Sequence, residues 1–146
     1  MKINPLAEVN YRRKLSLEYL KKAEKFLSTG DYKESVEASQ LSVENAAKAV
    51  IALRRIPSWT HDPSDELLEV AYELPANYKD YAEKLAYLAH ELAPEHGVTT
   101  YGKPTEGLTP WEVYDEVKAC EALRKAKKAN ELMELILKDL TSSQNT

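Results

Sequence analysis

"YKESVEASQLSVENAAKAV", Tyr32 to Val50, is the stretch whose reading decides the fold. Tyr32, Val36, Ser39, Val43, Ala46 and Val50 recur in alternating steps of four and three, the spacing that lays one face of a helix against a neighbour. Ala46, Ala47, Ala49 and Ala52 are small, so a second helix can approach closely there. Pro57 stops the helix, because the residue before a proline is pushed out of the helical region. Upstream, Gly30 ends a preceding helix, and Asp31 with Glu34 three residues later predicts a capping box. So short a connection folds the two helices back on each other as an antiparallel hairpin.

The same reading extends outward. Asn4 and Pro5 predict the cap and first turn of the first helix, with Leu15, Tyr19, Leu20, Ala23, Phe26 and Leu27 as its apolar stripe. "HDPSDELLEVAYEL" predicts a short third helix, capped by Asp62 and turned inward through Leu67, Leu68, Ala71 and Leu74. Tyr78, Ala82, Leu85, Ala89 and Leu92 give the face of a fourth, closed by Pro94 and Gly97. "APEHGVTTYGKPTEGLT" has no helical period and predicts one long irregular loop. Thr109, Pro110 and Glu112 cap a last long helix on a second seam: Ala122, Ala126, Ala129, Met133, Ile136 and Leu140. Residues 141–146 are expected to be frayed. No strand pattern competes, and no repeat of about 34 residues supports a solenoid. The expected fold is all-α: residues 1–146 as one domain, an antiparallel up-and-down four-helix bundle with an additional short helix.

Composition narrows function less sharply. At 146 residues with 43% apolar and 30% charged, the chain can bury a real core. A formal charge of -4 gives no general attraction to nucleic acid or anionic membrane. The basic runs Arg12–Lys14 and Arg124–Lys128 read as solvated helix faces. A single cysteine, Cys120, excludes an intrachain disulfide and any site of several thiolates, and its apolar-periodic segment predicts a buried small hydrophobe. No run resembles a signal peptide or a membrane span, so a cytoplasmic protein is expected.

Four features in order resemble the HEPN domain family. They are an amphipathic first helix ending in "STGDY", a second helix carrying "SVENAAKAV", a turn into "THDPSDELL", and a "TTYGKP" loop before a long last helix. The resemblance spans about Tyr11 to Leu137. It implies a homodimeric bundle that often works beside a minimal nucleotidyltransferase, in some members as a toxin–antitoxin pair, and that binds a nucleotide or short RNA. Some members are metal-independent ribonucleases with an Arg-x(4–6)-His motif. Here the late loop reads Thr99, Thr100, Tyr101, Gly102 where relatives carry Thr-Arg-Tyr-Pro. The later region offers His90 and His96 with no arginine between Lys84 and the last helix, so the family's catalytic pair does not carry over.

Arg55 and His61 enclose five residues and match the ribonuclease spacing as text, but they fall at a helix end and the following turn. An arginine near a helix C-terminus is already favoured by the macrodipole. Glu44 and Lys48 are four apart and predict a helical ion pair, with a groove inside the dimer as the alternative. Trp59 and Trp111 read as core or interface anchors. His90 and His96, even with Glu91 and Glu95, match no metal-ligand spacing, so no metal and no cofactor are expected. No catalytic residues are assigned. The expected function is a non-catalytic dimeric module, with a nucleotidyltransferase partner and a nucleotide held by Arg54, Arg55, His61, His96, Tyr101 and Lys103; the alternative is a ribonuclease with a divergent Arg/His site.

Overall fold

The hairpin expected around Gly30 forms between α1 (Pro5–Ser28) and α2 (Tyr32–Ile51). Gly30 takes φ +79°, and the amides of Gly30 and Asp31 return to the carbonyls of Leu27 and Phe26, which satisfies the last carbonyls of α1. The computed structural model describes the backbone of residues 5–144 and the side chains of residues 5–140. After α2 come α3 (Ser64–Ala71), α4 (Ala76–Leu92), α5 (Glu95–Tyr101), a 3₁₀ turn at Pro104–Glu106, α6 (Pro110–Val113) and α7 (Glu116–Gln144).

Side-chain pairs fix the directions. Ser16 meets Ser42 and Arg12 reaches Asn45, so α1 and α2 are antiparallel. Arg13 forks onto Glu134 at 2.6 and 2.9 Å while Ser16 meets Asn130, so α7 runs against α1. Tyr78 donates to Asp139 and Lys125 pairs with Glu91, so α4 runs against α7. The long helices α1, α2, α4 and α7 therefore form the expected up-and-down four-helix bundle.

Helix α2 is its axis. Fifteen of its 20 residues are buried, which places helices on every side of it and not only along the seam. Its alanines and serines make that geometry feasible, since small side chains let several axes come close. Val43, Val50, Leu85, Leu132, Met133 and Ile136 fill the centre. Where α1, α2 and α7 meet, a buried polar knot replaces apolar contact. The Ser16 hydroxyl lies 2.7 Å from the Ser42 carbonyl and 2.9 Å from Asn130 Oδ1; Ser42 Oγ donates to the Ser16 carbonyl, and Asn130 Nδ2 donates to Ser42 Oγ.

Several local expectations are corrected. The "irregular" late segment contains α5, less than two turns long and thus too short to reveal a period, with Pro94 tolerated just ahead of its first turn. The last helix is two: the Thr109–Glu112 capping box forms on α6, but Tyr114 turns extended before α7 starts. Helix α7 is described as far as Gln144, and residues 145–146 lie outside the described residues. Asp31 makes no capping bond; its carboxylate accepts from Thr29, and Glu34 accepts from Trp111. The Asn4 cap lies outside the described residues. Val70, not Leu68, faces the core from α3, because Leu67 sets a three-and-four register that Leu68 misses. Arg12 and Arg13 tie α1 to α2 and α7 and do not form a solvated run. Cys120, Trp59 and Trp111 are exposed, so none is a core residue. No helix among the described residues is long and apolar enough to cross a membrane.

Candidate functional site

Gln40, Glu44 and Lys48 follow one another at four-residue intervals along α2 and are all buried. A polar ridge inside a bundle is costly unless its members satisfy one another. They do. Lys48 Nζ lies 3.3 Å from Glu44 Oε2, and Gln40 Nε2 donates to Glu44 Oε1 at 3.2 Å. The predicted helical ion pair is therefore present, with side chains only 5% and 7% exposed.

Two histidines close over this ridge from different segments. The loop after α2 brings His61 Nδ1 to 3.0 Å from Glu44 Oε1, and α5 brings His96 Nδ1 to 3.1 Å from Gln40 Oε1. Their rings stack with centroids 3.6 Å apart and planes 19° from parallel. The network sets the proton positions. A carboxylate only accepts, so His61 must donate from Nδ1, and the Gln40 amide nitrogen must point at Glu44. The Gln40 oxygen is then left for His96, whose Nδ1 must also donate. Both imidazoles are pinned to α2 through Nδ1–H, and their Nε2 atoms have no partner among the described residues.

The third histidine secures the same turn. His90 Nδ1 lies 2.8 Å from Asp62 Oδ2, and Asp62 Oδ1 accepts the Ser64 amide at the start of α3. Pro63 occupies the cap position, so Asp62 acts one residue earlier than expected. Burial works against the Asp62 charge, but hydrogen bonds from Ser64 and His90 outweigh it and hold its carboxyl below the ordinary range. All three histidines of the chain thus serve one short loop.

The candidate ligand residues do not assemble as one group. His61 and His96 come together. Arg55 Nη1 pairs with Glu69 at 2.8 Å and Arg54 reaches the Glu73 carbonyl, both on exposed surface beyond the end of α2. The late segment attaches at the opposite end, where Trp111 donates to Glu34 at the start of α2. A 20-residue helix separates those ends by about 30 Å. The expected union of Arg54 and Arg55 with Tyr101 and Lys103 is therefore not formed, because α2 and α4 are antiparallel. Tyr101 ends α5 with its ring exposed, and Lys103 is exposed on the bridge it forms with Leu108.

Donor atoms of Glu44, His61 and His96 all lie within 4.8 Å of one another. As arranged, they do not converge on an ion. An imidazole binds a metal in its ring plane at about 2.0–2.1 Å. Two near-parallel planes 3.6 Å apart share no point at that distance. Glu44 is also already neutralised by Lys48. His90, Glu91, Glu95 and His96 are dispersed onto Asp62, Lys125, Tyr114 and Gln40 respectively.

The HEPN domain model matches residues 9–139. The chain belongs to the HEPN domain family. The crystal structure of TT1696 from Thermus thermophilus has a similar fold: TM-score 0.66 and 24% identity, covering 88% of this chain and 98% of that one. No curated protein sequence matches the chain. Within this HEPN bundle, Gln40 is the site residue that sequence reading missed. Its signal was present as the polar four-residue ladder Gln40–Glu44–Lys48, but Ser39 next to it carried the apolar seam and drew the helix face elsewhere.

Proposed function

We propose that this HEPN domain acts as a dimeric, non-catalytic module that holds a phosphate group of a nucleotide at the His61/His96 edge. The observation that carries this reading is the pair of imidazoles fixed through Nδ1 with adjacent Nε2 atoms unpartnered. Of two such stacked imidazoles, one bearing a proton on Nε2 and one bare at Nε2 make a mixed pair. Such a pair offers one N–H donor and one acceptor. A phosphate monoester near its second pKa, about 6, offers the complementary oxyanion and hydroxyl. Tyr101 and Lys103 follow His96 on the same segment and are exposed there. Membership of the HEPN family supports a nucleotidyltransferase as the protein partner, tested by co-purification with the products of neighbouring genes.

Calorimetric titration with nucleoside monophosphates and short RNA tests the binding reading. His61→Ala and His96→Ala should each abolish the heat, while Arg55→Ala, engaged with Glu69, should leave it unchanged. Equal binding by all three variants would remove the site from these histidines.

One observation favours a second reading. Two neighbouring imidazoles with unpartnered Nε2 atoms can serve as base and acid in RNA cleavage. Against it, Lys48 is turned under Glu44 and the two arginines lie elsewhere, so no cation stands ready for a phosphorane. Cleavage of RNA lost in both His61→Ala and His96→Ala would establish the second reading.

A further inference from the structure

Trp59 is 97% exposed, so it contributes almost nothing to the stability of the fold that carries it. An indole held in water leaves its apolar area unburied, and covering it in a contact is favourable. The loop beneath it is not slack. Pro57 is buried, the Ser58 amide donates to Glu66 Oε1, and the Thr60 hydroxyl accepts the Asp62 amide. His61 is pinned to Glu44 and Asp62 is bonded to Ser64 and His90. The ring is thus presented from a braced loop, which lowers the ordering cost of any contact it makes.

Its neighbour in sequence is the phosphate edge. Two residues span at most about 7 Å of backbone, so Trp59 and His61 are rooted within about 7 Å of each other on the braced loop. We propose that Trp59 is the base platform of the His61/His96 site: a nucleobase stacks on the indole while the phosphate attached to it sits on the two Nε2 edges. Aromatic stacking tolerates any base, since every base has a π face. The ligand class is then a single-stranded nucleic acid segment or a free nucleotide, recognised without base identity. This inference rests on the phosphate reading above and adds the residue that separates a nucleotide from a bare phosphate.

The chain has two tryptophans, so Trp111→Phe leaves Trp59 as the sole indole emitter. In that background, emission is followed while the full-length protein is titrated with a short single-stranded oligonucleotide, a nucleoside monophosphate, or inorganic phosphate. Both base-bearing ligands should quench Trp59. Inorganic phosphate should not quench, yet should compete with them. Trp59→Ala should stay folded by circular dichroism and weaken nucleotide binding about ten-fold, with inorganic phosphate binding unchanged. Histidine-dependent nucleotide binding with silent Trp59 emission and an unaffected Trp59→Ala variant would overturn the platform alone. No binding of any phosphate would remove the underlying site and the platform together. Emission changing with protein concentration but not with nucleotide would assign the ring to a protein contact and overturn the proposal.

Discussion

At Glu44 one carboxylate accepts from Gln40, His61 and Lys48, so its removal strands several groups at once. Glu44→Ala leaves the Lys48 ammonium buried without its counter-charge. Urea unfolding should show a loss of about 3–5 kcal/mol. Replacing Glu44 and Lys48 together by methionine should recover most of it, since an apolar pair of similar volume carries no desolvation cost. A loss from the double replacement as large as from Glu44→Ala would mean that the pair is not coupled. Ser39 gives the opposite sign: its hydroxyl is buried with no hydrogen-bond partner among the described residues, so Ser39→Ala should stabilise the protein by about 1 kcal/mol in the same measurement. Asp62 adds a pH dependence. Its folded pKa is depressed, so its contribution is present above the ordinary aspartate range, about 3.9, and is lost as pH falls through the folded value. Asp62→Asn should therefore narrow the stability difference between neutral pH and about pH 3.

Among the elements, the long helices were legible because each repeats its period often enough to be counted. The α2 and α7 seams run over five turns or more, and their residues, Tyr32 and Leu140 at the ends excepted, are buried as expected. α5 was not legible: seven residues give no period, and Pro94 and Gly97 imitate a loop. The site suffered from the same limit. His61 and His96 were singled out by residue type, but their stacking depends on α5 docking against the middle of α2, which no spacing within either segment encodes. Gly102 shows how tightly that segment is fixed. Its φ is +70°, and an added Cβ would stand 2.3 Å from the Leu108 carbonyl oxygen and 2.9 Å from the Pro110 nitrogen, both backbone atoms. Gly102→Ala should cost at least ~1–3 kcal/mol by thermal or urea unfolding. It should also disturb the His96 ring environment, whereas Gly30→Ala, in open space with the same sign of φ, should leave that environment unchanged.

For the whole molecule, the HEPN bundle places the His61/His96 edge beside the axis helix and leaves the arginines beyond that helix's C-terminal end. The polar site is anchored on the most buried helix, so its geometry is inherited from the core. Long-range proton–nitrogen correlation spectra of the three histidine rings, recorded before and during titration with a nucleoside monophosphate, test the two-imidazole site most directly. Before titration, His61 and His96 should each show a protonated Nδ1, and during it their Nε2 signals should move together while those of His90, held on Asp62, stay in place. A free-state Nε2–H tautomer at either ring, or Nε2 shifts confined to His90, would contradict the site.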